Sequence, residues 1–131
     1  MRLLLEPVHE PIDWYAGSTT LEVISTQFGL RIVVASTEEF DSYVEFRFGN
    51  AHAFQVLHER DMMSYWEEPL PAKHMLFRVL GGGWLERATS DYFQVTNSFS
   101  SNEWLIVSDT GPCVTVISDK EPNVWSTSRE V

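Results

Sequence analysis

His52 and His58 stand six residues apart in this chain of 131, and Glu59 and Asp61 follow directly, so an imidazole and two carboxylates fall within four residues. That chemistry suits metal binding or proton exchange. A zinc site needs three or four convergent ligands, and on an extended strand positions 52 and 58 share a face about 20 Å apart. The pair therefore reads as surface or edge histidines. Gly81-Gly82-Gly83 offers backbone amides to a phosphate, but the lysine and the serine or threonine of a P-loop do not follow it. A turn or bulge with positive φ is the simpler reading. Cys113 is the only cysteine, which rules out an internal disulfide and a thiolate zinc site of the common kind. Its neighbours, Gly111-Pro112 before and Val114 to Ile117 after, describe a sheet-core position and not an electropositive pocket that would form a thiolate. Ser18, Thr19, Ser98 and Ser100 lack the strand-turn-helix glycine frame of a nucleophile elbow. The expectation is a protein that is not an enzyme, with no catalytic residue, no metal and no cofactor.

Charge is the stronger signal. The chain carries −10, from 19 acidic against 9 basic residues. Between Glu38 and Glu68, eight acids (Glu38, Glu39, Asp41, Glu45, Glu59, Asp61, Glu67, Glu68) face only Arg47 and Arg60, so this segment holds −6 of the total. Binding to nucleic acid or to an anionic membrane draws on the opposite sign. A basic protein partner is the functional reading, and mere solubility the bland one. With 44% hydrophobic and 13% aromatic residues, the chain has enough apolar material to fold despite its charge.

These residues need elements to hold them. Thr20 to Phe28 and Leu30 to Ala35 are β-branched runs meeting at Gly29, either consecutive strands or one long strand with a bulge. Tyr43 to Phe48 alternates strictly, with Val44, Phe46 and Phe48 on one face and Tyr43, Glu45 and Arg47 on the other. The turn pair Gly49-Asn50 and the run Ala51 to Leu57 then predict a hairpin. His74 to Leu80 is a further strand. Trp84 to Ala88 fits a bulged strand or a helical turn equally. Tyr92 to Thr96, Glu103 to Ser108 and Cys113 to Ser118 are β-rich, with Asp109 to Pro112 as a turn between the last two. Length and the lack of a linker point to one domain over 1–131. The expected class is β-rich α+β (or all-β), a single curved antiparallel sheet or half-barrel with one or two short helices.

The stretch RDMMSYWEEPLP, Arg60 to Pro71, fits one or two helical turns from Asp61 to the residue before Pro69. An aromatic pair, Tyr65 and Trp66, among Asp61, Glu67 and Glu68 suits contact with a basic partner, the ring as anchor and the carboxylates as steering charges. The alternative, core aromatics under a solvated charged face, weighs equally for Trp66. The candidate partner-binding set is Glu38, Glu39, Asp41, Glu45, Asp61, Tyr65, Trp66, Glu67 and Glu68.

Met1 to Leu5 is too short for a bilayer span or for the apolar core of a secretory signal, so a cytoplasmic protein is expected. Scarce lysine leaves strand edges less guarded and allows a homodimer.

The second half, with Trp84-Leu85-Glu86, a later Glu-Trp-Leu-Ile-Val from Glu103, and Val-Thr-Val-Ile-Ser from Val114 followed by proline, resembles small acidic bacterial immunity proteins. The resemblance implies an inhibitor that neutralises a toxin of the contact-dependent growth inhibition type, often a nuclease, and it assigns no individual binding residue. The alternative is a β-barrel-like module holding a small ligand, or a small enzyme of that shape, with Tyr43, Phe54, Trp84 and Trp104 lining a cavity.

Overall fold

The computed structural model describes residues 4–38, 42–58, 73–85 and 101–127. They form nine strands: β1 (Leu4–Pro7), β2 (Ser18–Thr26), β3 (Gly29–Ser36), β4 (Tyr43–Phe48), β5 (Ala51–Leu57), β6 (Leu76–Gly81), β7 (Asn102–Ile106), β8 (Cys113–Ser118) and β9 (Asn123–Thr127). The class is β-rich, as the patterning predicts. The strands divide between two antiparallel sheets, ordered β1-β6-β7-β8-β5 and β2-β3-β4-β9, where a single curved sheet was expected. Among the described residues no helix is an element of the fold, and helical backbone is confined to Trp84 and Leu85; the expected helical turn at Asp61 and the expected strand Tyr92–Thr96 lie outside them.

Alternation explains how the sheets stack. Leu30, Ile32 and Val34 of β3 and Val44, Phe46 and Phe48 of β4 turn one way and meet Leu76, Trp104, Ile106, Val114 and Val116 of the other sheet in one buried cluster. Trp14, in the connection after β1, joins them. The two sheets thus form a sandwich with an apolar layer between them.

β2 and β3 are a hairpin closed by Gln27-Phe28, so the reading of consecutive strands holds and that of one long bulged strand does not; a separate register shift lies at Leu21 within β2. Gly29 has φ +130°, and a Cβ there would lie 2.3 Å from the Phe48 carbonyl oxygen. Only glycine lets β4 approach that closely.

The Gly49-Asn50 turn does not make the expected hairpin. β4 pairs with β3 and β9, whereas β5 pairs with β8 in the opposite sheet. Both edges of β4 are filled, so the chain leaving it must cross the sandwich. β9 carries no strong strand pattern of its own and exists as a partner for β4.

β8 is buried at all six positions and β7 at four of five. Beyond the sandwich layer, Phe77, Leu105, Val107 and Cys113 form a second cluster on the far face of the five-stranded sheet. Cys113 is the core residue its neighbours predict.

Candidate functional site

The outer face of the four-stranded sheet is exposed towards its two ends, while Val33 and Glu45 at its middle are buried, and the two ends differ. Outward-facing residues on β3 and β4 are Arg31, Val33, Tyr43, Glu45 and Arg47, flanked by Glu22 and Ile24 of β2 and Trp125 of β9.

At the end where β3 leaves the sheet and β4 enters it, carboxylates gather. Gly17 N–H donates to Asp109 Oδ2 at 2.7 Å, and the Glu38 carboxyl group also stands beside Gly17, 3.2 Å from where its Cβ would be. Glu38 and Asp109 are exposed. Glu38 opens the acidic run that continues in sequence with Glu39 and Asp41, both outside the described residues. Tyr43, part-exposed, starts β4 at this end.

The opposite end carries the cations. Glu45 is only 7% exposed. Arg31 Nε hydrogen-bonds Glu45 Oε1, while Arg47 Nε lies 3.1 Å from Glu45 Oε2. Arg31 Nη1 also reaches Glu22 Oε2 at 3.2 Å. The Arg31 hydrogen bond, above all, holds the Glu45 carboxyl below the usual glutamate range against its burial, and Arg47 adds to this. The same bond raises Arg31. Glu45 is therefore the centre of an internal ion-pair cluster, which corrects its assignment as a steering charge: alternation places it outward, but the two arginines cover it. The Arg47 guanidinium sits 5.2 Å from the centre of the Trp125 ring. Beside these lies an open groove of about 440 Å³, bounded by Ile24, Phe28, Arg31, Arg47, Asn123 and Trp125.

Asp61, Tyr65, Trp66, Glu67 and Glu68 lie outside the described residues. The residues that sequence reasoning missed are Arg31, Phe28 and Trp125. Arg31 and Arg47 share the outward phase of their strands, which is a usable signal. Trp125 has none, because its neighbour Glu45 is eighty positions earlier.

The histidines part company. His52 Nε2 is 3.0 Å from Asp119 Oδ1, and Ser101 Oγ donates to the same oxygen at 2.8 Å. These contacts lower the Asp119 carboxyl, the serine bond most. Serine, carboxylate and imidazole meet here, but the hydroxyl bonds the carboxylate and not the imidazole, so the order is not that of a Ser-His-Asp triad. His58 follows the other end of β5. At the glycine triplet, Gly82 takes φ +75°, and Trp84 and Leu85 turn away from the strand with helical backbone. Leu85 N–H donates to buried Glu103 at 2.7 Å, so an internal carboxylate occupies the place a phosphate would take.

The four aromatic residues expected to line one cavity are dispersed. Trp104 is in the sandwich layer, Trp84 packs near Ile117 of the five-stranded sheet, Tyr43 is on the open face, and Phe54 is part-exposed on the edge strand β5. Among the described residues no helix is long and apolar enough to cross a membrane.

No protein-family model, curated protein or solved structure matches this chain.

Proposed function

We propose that this chain is an immunity-type inhibitor that binds a basic toxin domain, a nuclease as the resemblance implies, and neutralises it in the cytoplasm by occupying its phosphate-binding surface with carboxylates. The observation that carries the reading is the acidic end of the open sheet, where Glu38 and Asp109 converge on Gly17 from positions 71 residues apart at the head of the most acidic segment of the sequence. A nuclease must present lysine and arginine to its substrate, and an acidic protein competes for that surface. The work is binding and not catalysis. Trp66, with Tyr65, is the anchor of the same interface in this reading, and the surrounding carboxylates set the approach.

The test is association kinetics with a basic nuclease toxin domain encoded beside this chain. The association rate should fall steeply with salt, since screening at about 0.15 M acts over roughly 8 Å, and Glu38→Lys should slow association while changing dissociation little. Trp66→Ala should do the reverse, raising the dissociation rate at a cost of about 2 kcal/mol or more. No binding, or an association rate indifferent to salt, overturns the proposal.

A further inference from the structure

The arginine end of the sheet is separate from the acidic end, and its chemistry is different: an arginine–glutamate ion-pair cluster. Arg31 and Arg47 each spend their Nε on a single buried carboxylate, Glu45. One negative charge thereby orients two guanidiniums. Glu22, half-exposed, engages only Arg31 Nη1, and the terminal nitrogens of Arg47 make no ion pair with a described residue. The outer edge of a guanidinium fork is the geometry that receives a carboxylate through two parallel hydrogen bonds. Glu45 and Glu22 balance the two arginines, so the cluster is neutral in sum, and what it offers a ligand is the outer edge of the half-exposed Arg47 guanidinium.

Its flanks are apolar. Phe28, at the tip of the β2–β3 hairpin, is 84% exposed, and Trp125 on β9 is 49% exposed. The arginines on β3 and β4 lie between them. Strands in a sheet are about 4.8 Å apart, so from β2 to β9 the groove spans about 14 Å. In an extended peptide, side chains two residues apart point the same way, and three of them cover about 13 Å. The two lengths match.

We propose that this groove docks an extended peptide segment of a partner protein in which a glutamate or aspartate is flanked, two residues to either side, by aromatic or aliphatic side chains. The carboxylate bridges Arg31 and Arg47, one apolar side chain packs against Phe28 and Ile24, and the other against Trp125. Glu45 is the positioning residue. A mononucleotide fits less well: the guanidinium fork also receives phosphate, but a single base cannot cover both apolar flanks, Phe28 and Trp125. This site does not rest on the proposed toxin, and its test does not use one.

The experiment is an NMR titration of the full ¹⁵N-labelled chain with the capped peptide Phe-Gly-Glu-Gly-Phe. The side-chain Nε–H signals of Arg47 and Trp125 should shift together, and the glutamine version of the peptide should bind about tenfold more weakly, the loss expected for a charge-assisted hydrogen bond. Arg47→Ala should weaken binding to a similar degree, and Arg47→Lys, which keeps the charge but not the fork, less so. Glu45→Gln should weaken it while the spectrum stays dispersed. Arg78→Ala, on the other sheet, should bind as the parent does. Three results overturn the proposal: no shift at about 1 mM peptide, equal binding of the glutamate and glutamine peptides, or tighter binding of adenosine monophosphate than of the peptide.

Discussion

The two sheets of the sandwich use the same strand chemistry to different ends. In the five-stranded sheet, β7 and β8 are buried on both faces, and even Glu103, Thr115 and Ser118 are enclosed. In the four-stranded sheet, one face joins the sandwich layer and the other is exposed towards its ends, so Phe46 of β4 is inside and Tyr43 and Arg47 are outside. A strand with no free face has little room for recognition chemistry. The exposed aromatics are therefore concentrated on the four-stranded sheet, with the carboxylates Glu38 and Asp109 at one end and the ion-pair cluster of Arg31, Glu45 and Arg47 at the other.

This contrast predicts a large asymmetry in tolerance. Phe77→Ala, on the far face of the five-stranded sheet and fully buried, should lower unfolding stability by about 3–5 kcal/mol. Trp125→Ala, on the open face, should stay within about 1 kcal/mol of the parent, even though it removes the ring over which the Arg47 guanidinium sits. Denaturant melts of the two variants check this, and equal losses would erase the distinction between the sheets.

Two glycines sharpen the comparison. At Gly83 an added Cβ would lie 2.7 Å from Glu103 Oε1 and 2.7 Å from Val79 Cγ1, whereas at Gly49 it would meet nothing within 4 Å. Gly83→Ala should cost about 1–3 kcal/mol as an overpacking change. Gly49→Ala should be neutral to within about 0.5 kcal/mol. The doubly buried sheet also carries a cost of its own: Gln55 Oε1 and Thr115 Oγ1, directly opposite each other, are buried with no hydrogen-bond partner among the described residues. Thr115→Val removes one such group while keeping the shape, so the melt should move upward by about 1 kcal/mol. A loss instead would mean that the hydroxyl has a partner.

The mildest effect belongs to the open face. Because the Glu45 carboxyl is lowered by Arg31 and then Arg47, its contribution to stability is present above the ordinary glutamate value of about 4.3 and fades as pH falls through the lower folded value. The outer parts of both arginines are solvated, which limits the size of the effect. Comparing acid melts of the parent and Glu45→Gln should show a smaller loss of stability below about pH 4 in the variant, and identical slopes would deny the ion-pair cluster its role.

Local patterning was informative wherever burial follows from one strand alone. Tyr43 to Phe48 and Cys113 to Ser118 are strands at the boundaries read from the sequence, because alternation in one and an unbroken β-branched run in the other need no knowledge of neighbours. The Gly49-Asn50 turn was equally legible as a reversal of the chain. That the reversal leads into the other sheet was not, since a turn sequence fixes geometry over four residues and says nothing about which strands already fill the edges of β4.

What the sequence by itself determined is the β-rich class, the core role of Cys113, the outward phase of Arg47 and the strongly acidic balance, all properties of composition or of period-two spacing. What only the tertiary structure decided is which charges are free. Glu45 looks like any exposed acid of its strand until β3 brings Arg31 beside it, and Arg47 looks like an isolated base until β9 delivers Trp125 from the far end of the chain. Pairing between distant strands is set by how the whole core packs, so the sign of a surface patch, a sum over neighbours in space, cannot be read along the chain.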